Sequence, residues 1–146
     1  MNLSAHFTLE ELTVSDTATR LSIDNRPSEA VIARLQVLCQ YLERIREVIG
    51  APIIITSGYR SPELCRAIKS SATSSHTAGE AADFKAPGFG RTTKESAIAI
   101  RDSGIPFDQL IYEGTWVHFG IREPMRKMVL TAHFGKGPVW YTAGIA

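Results

Sequence analysis

The most constraining stretch of this chain is residues 27–50, where Val31, Ile32, Leu35, Leu38, Leu42, Ile45 and Ile49 recur at the three- and four-residue spacing of one helical face. Pro27 suits a first turn and Gly50 a C-terminal cap, so the pattern predicts one helix of roughly six turns. A stripe of that length has to be buried, with Arg44, Arg46 and Glu47 on the outer side. The rest of the chain must therefore supply a broad apolar surface to cover it.

Short strands supply that surface. After the break at Ala51-Pro52, the β-branched run Ile53-Ile54-Ile55-Thr56 reads as a buried strand, and residues 81–84 read as a second. Residues 109–113 and 116–121 flank Gly114-Thr115, the pattern of a two-residue hairpin. Such a hairpin sets Glu113 opposite Trp116 and Ile111 opposite His118, all on one face, with Glu113 diagonal to His118 within about 8 Å. Residues 125–130 and 139–141 are further strand candidates around Gly135-Lys136-Gly137-Pro138.

Shorter helices are marked by their caps. Thr8 and Glu11 form a capping box for a helix ending near Leu12, and Thr92 and Glu95 form another for a helix running to Gly104 with Ala97, Ile98 and Ile100 as its apolar positions. Ser61 and Pro62 start a helix through about Ile68, residues 17–20 can add a turn, and the serine-rich residues 69–75 are expected to be a loop. The predicted class is α+β, a small and mostly antiparallel sheet packed against helices.

With 146 residues and 44% hydrophobic content, the chain suits one core and a single domain over residues 1–146. A net charge of +1 and no block of like charges give no general reason to bind nucleic acid. No run approaches the roughly 18 apolar residues of a membrane helix, so no membrane insertion is expected. The opening residues lack a basic segment followed by an apolar one, so the expectation is synthesis in the cytoplasm without a secretory signal, as a monomer. Cys39 and Cys65 fall in helical patterns and read as buried free thiols.

Five blocks resemble one family. Ser57-Gly58-Tyr59-Arg60, the element from His76 to Asp83, Trp116-Val117-His118, Phe7-Thr8-Leu9-Glu10-Glu11-Leu12 and Pro106-Phe107-Asp108-Gln109-Leu110-Ile111 look like the peptidase M15 family, the zinc D-Ala-D-Ala carboxypeptidases, and especially its short phage and prophage members. The likeness covers roughly residues 3–122. It implies a fold like that of D-Ala-D-Ala peptidases and Hedgehog domains, and one Zn2+ ion held by His76, Asp83 and His118. Two neutral imidazoles and one carboxylate suit zinc and leave a fourth position open. The implied activity is amide hydrolysis in peptidoglycan stem peptides containing D-amino acids, as a D,D-carboxypeptidase or as an endopeptidase of the endolysin kind. The wall would be reached after release from the cell or on a phage particle. The alternative is a non-catalytic module of the same fold that binds cell-wall peptide or serves a phage particle.

The chemistry also needs an acid that takes and returns a proton. Many relatives carry it three residues before the last histidine ligand, where this chain has Thr115. Glu113 is the nearest carboxylate and shares the hairpin face with His118, so it is the first candidate for general base and acid, with Asp108 and Glu80 behind it. Arg60 matches a substrate-contact position, and its planar guanidinium suits a carboxylate or a polarised carbonyl oxygen. Ser57, Tyr59 and Trp116 are further substrate-binding candidates. Ser75 is read as orienting its loop, Gly79 as a tight turn, and His6 and His133 as surface or structural residues.

Overall fold

The computed structural model describes residues 1–71 and 74–146. The long apolar stripe forms helix α3 (Glu29–Ile49), preceded by α1 (Leu9–Thr13) and α2 (Asp16–Arg20). It starts two residues later than the sequence suggests. Ser28 is the cap, its Oγ accepting from the Val31 amide at 3.3 Å, and Pro27 lies ahead of it. A serine oxygen satisfies an amide that the first turn leaves unpaired, so the cap outranks the proline as a starting signal. Leu35, Leu38, Leu42 and Ile45 are fully buried along the stripe. Both capping boxes form, at Thr8 with Glu11 and at Thr92 with Glu95.

Six strands make one sheet: β1 (Ile54–Ser57), β2 (Ala81–Lys85), β3 (Gln109–Tyr112), β4 (Val117–Gly120), β5 (Met128–His133) and β6 (Trp140–Ala143). Their order is β1-β2-β4-β3-β5-β6, antiparallel throughout except for the parallel pair β3 and β5. Helices α4 (Pro62–Ala67) and α5 (Thr93–Asp102) lie in the connections. Because side chains alternate along a strand, each face carries its own set. Phe84, Leu110, Val117 and Phe119 join α3 and α5 in the core, the Phe119 ring 6.2 Å from both Tyr41 and Phe107. Asp83, His118 and Ile111 stand in consecutive register on the opposite face, away from the helices.

Two strand expectations change. The run at residues 53–56 is an edge strand and not a buried one: Ile54 is 53% exposed, while Ile53, just ahead of β1, takes the core position. An unbroken β-branched run says that a segment is extended, and only its neighbours decide whether both of its faces are covered. The first tail strand begins at Met128, three residues later than expected, because it pairs in parallel with distant β3 after an irregular stretch in which Met125 and Lys127 take φ of 57°. The expected loop at residues 69–75 includes residues 72–73, which lie outside the described residues. Among the described residues, no helix is long and apolar enough to cross a membrane.

One close approach fixes the segment leaving β1. A Cβ on Gly58 would lie 2.4 Å from the carbonyl oxygen of Leu12, and the adjacent Tyr59 amide donates to that same oxygen at 2.7 Å. Only glycine lets the two backbones meet this closely. The contact ties α1 to the chain that presents Arg60.

Candidate metal centre

The pairing of β2 with β4 sets Asp83 directly opposite His118, and the side chains meet with Nδ1 of the histidine 2.9 Å from Oδ1 of the aspartate. His76 arrives from the turns between α4 and β2. Its Nδ1 lies 2.7 Å from the Gly58 carbonyl oxygen. A carbonyl only accepts, so Nδ1 carries the proton and Nε2 turns its lone pair towards Asp83 Oδ1, 3.4 Å away. Gly79 lets this segment lie on α3: it takes φ +75°, and a Cβ there would come within 3.0 Å of Val31.

The donor set fits one divalent cation. One atom from each of His76, Asp83 and His118 lies within 4.8 Å of the other two. Bonds of about 2.0–2.2 Å at tetrahedral angles place such donors about 3.3–3.6 Å apart. The His76 to Asp83 spacing of 3.4 Å falls inside that window. The His118 to Asp83 spacing needs to widen by only about half an ångström to enter it.

Electrostatics favour the ligating forms. Burial pushes the Asp83 carboxyl up, but the facing imidazoles of His118 and then His76 outweigh it and hold the group well below the usual carboxylate range. Burial also lowers the His76 pKa against the pull of Asp83, which keeps the ring neutral. Arg60 steadies the other aspartate oxygen, with Nη2 3.3 Å from Oδ2 and Nε donating to Ser57 Oγ at 2.9 Å. It is thus a partner of the candidate metal site as well as a wall of the cleft above it.

That cleft has a volume of about 430 Å³ and brings Arg60, Glu113, Trp116 and Tyr141 around the three ligands. Glu113 reaches it by the expected hairpin. Its amide donates to the Trp116 carbonyl at 3.0 Å, Gly114 takes φ +78° at the turn, and Ile111 pairs with His118. The Trp116 indole donates to Glu113 Oε2 at 2.7 Å. Burial, then the nearby negative charge of Asp83, raise the Glu113 pKa.

Other candidates stand elsewhere. Tyr59 is 7% exposed within the core and does not line the cleft. Ser57 shares the register of Asp83, but it lies behind Arg60 and accepts from it. Asp108 is buried and clasped at 2.8 and 3.0 Å by the Arg126 guanidinium, and Glu80 sits 3.6 Å from Arg122, so both act as structural partners. Thr115 is exposed at the hairpin turn. Ser75 accepts backbone bonds from Ala78 and Glu80 within the His76 turn. Glu43 holds His6, and His133 stacks on Trp140 at 4.1 Å. Cys39 and Cys65 are buried free thiols.

Sequence reasoning missed Leu130 and Tyr141 in the cleft lining. Alternation in the tail shows that Tyr141 and Trp140 face opposite ways, but which face meets the site depends on the parallel pairing of β5 with β3.

Compared with family models, residues 5–119 match Peptidase M15. The chain belongs to the peptidase M15 family. The matched segment of this M15 peptidase contains Arg60, Glu113 and all three candidate ligands, and it stops before β5 and β6. Comparison with curated proteins returns no match.

Proposed function

We propose that this M15 peptidase depends on one zinc ion and hydrolyses an amide bond in peptidoglycan stem peptides containing D-amino acids. The observation that carries the reading is the convergence of His76 Nε2, Asp83 Oδ1 and His118 Nδ1 on the floor of a cleft that also holds a half-buried carboxylate, Glu113. Bound there, zinc would supply a Lewis acid for the scissile carbonyl and make a water far more acidic than in bulk.

The chain's own groups do the rest. Glu113 takes the proton from the attacking water and returns it to the leaving amine nitrogen. The Trp116 bond to Oε2 leaves Oε1 for that exchange. A raised pKa lets this carboxyl hold a proton more readily than an exposed glutamate does. Arg60 keeps Asp83 in place and borders the cleft, where its guanidinium can meet a substrate carboxylate or carbonyl oxygen. Trp116 forms an apolar wall beside the reacting bond. Access to the wall by release or by carriage on a phage particle is part of the same proposal.

The test is to incubate the purified protein with peptidoglycan and follow new amino groups, with and without a chelator. Release that stops with chelator and returns with zinc is the expected result. Wall binding without release by zinc-replete protein would replace the hydrolase with a binding module. Defined peptides with free or blocked C-termini separate carboxypeptidase from endopeptidase cleavage.

A further inference from the structure

The C-terminal hairpin of β5 and β6 lies beyond the family match, yet it contributes to the cleft. In the order β2-β4-β3-β5-β6, four strand spacings separate Asp83 from Tyr141. At about 4.8 Å each, a flat sheet would hold the two residues roughly 19 Å apart. Tyr141 nevertheless lines the same cleft as His76, Asp83 and His118. The sheet therefore coils in the sense of its natural twist and brings β6 round as the far wall.

The Tyr141 side chain has features of a ligand contact and not of a packing residue. The residue is 49% exposed. Arg60, Glu113, His76 and His118 each have a hydrogen-bond partner on or behind the cleft, whereas the Tyr141 hydroxyl has none among the described residues. Burial, then the charges of Glu113 and Asp83, raise its pKa, so it stays a neutral donor at physiological pH. A cleft holding two carboxylates needs donors facing them where negative charge develops on a substrate. Arg60 supplies one from the β1 side.

We propose that Tyr141 contacts the substrate, its hydroxyl donating a hydrogen bond to the carbonyl oxygen of the scissile amide from the wall opposite Arg60. This rests on the peptidase reading above. As water adds, that oxygen gains charge, so the bond strengthens in the transition state. The family-matched core then holds the ion and the base, and the added hairpin completes the oxygen's surroundings.

Tyr141→Phe removes only the hydroxyl. In zinc-loaded protein it is expected to lower kcat and the affinity for a phosphinate dipeptide analogue by about 10–100-fold each, the loss typical of a hydrogen bond to a charged group. KM, Tm and zinc affinity stay near the wild-type values, a split that loosening of the hairpin would not give. Wild-type kcat and wild-type phosphinate affinity in the variant would overturn the assignment. A wild-type protein that binds the phosphinate through Tyr141 but cleaves nothing keeps the contact and removes the hydrolase. One that neither binds nor cleaves removes both.

Discussion

Gly58→Ala tests whether the backbone meeting beneath the site also sets its metal affinity. The new methyl carbon would lie 2.4 Å from the Leu12 carbonyl oxygen. Ordinary carbon to oxygen contacts start at about 3.3 Å, so the two segments must part by about 0.9 Å. The Tyr59 to Leu12 hydrogen bond at 2.7 Å stretches with them. Overpacking of this kind costs about 1–3 kcal/mol, and at roughly 2–4 °C per kcal/mol for a chain of this size the loss is visible in a thermal melt. The Gly58 carbonyl also holds His76 Nδ1 at 2.7 Å, so the same shift turns this candidate ligand away from the proposed metal position. Loss of such an orienting partner weakens metal binding by about 10–100-fold. Zinc affinity is read by competition with a chromophoric chelator at a temperature where the variant is folded. Leu42→Ala is the control, because emptying a fully buried core position costs about 2–5 kcal/mol without touching His76. A Gly58→Ala protein that melts like the control but binds zinc like the wild type would refute the link between carbonyl and ligand.

Three other outcomes are expected. Glu113→Gln keeps zinc affinity and lowers kcat by about 10²–10⁴-fold, whereas full activity in the zinc-bound variant would remove Glu113 as the base. Asp108, whose pKa is lowered mainly by the Arg126 side chain, contributes stability that is present above its unfolded pKa near 4 and fades as pH falls through its lower folded value. Allowing for solvent screening of the half-exposed arginine, Asp108→Asn destabilises by about 1–2 kcal/mol at pH 7. Urea unfolding at pH 7 and then at progressively lower pH should show the gap closing, and a constant gap would contradict the pairing. Native protein at pH 7 should resist a thiol reagent until denaturant is added, since both cysteines are fully buried and burial pushes the Cys39 thiol up to about 12. Rapid labelling of the folded chain would contradict that burial.

Much of this protein is local enough to be legible along the chain. Thr8 with Glu11 and Thr92 with Glu95 announce their helices because a capping box needs only residues three apart. The stripe from Val31 to Ile49 marks α3 because burial repeats with the helical period. The register that puts Glu113 opposite Trp116 follows from the two-residue turn, which leaves the strands one pairing. The resemblance of several ordered blocks pointed to the family for a related reason, since each block is a short piece with its own backbone demands.

Tertiary structure alone decided how those pieces meet. The pairing of β2 with β4 joins residues 35 positions apart into the His118 and Asp83 contact. The parallel pairing of β5 with β3, followed by β6, carries Tyr141 into the cleft. Arg60 is bound to Asp83, Tyr59 is buried in the core, and Ile54 is exposed on an edge strand, none of which their immediate neighbours reveal. The physical reason is that hydrogen-bond reach and burial depend on distance through space, and local sequence specifies backbone shape only over a few residues.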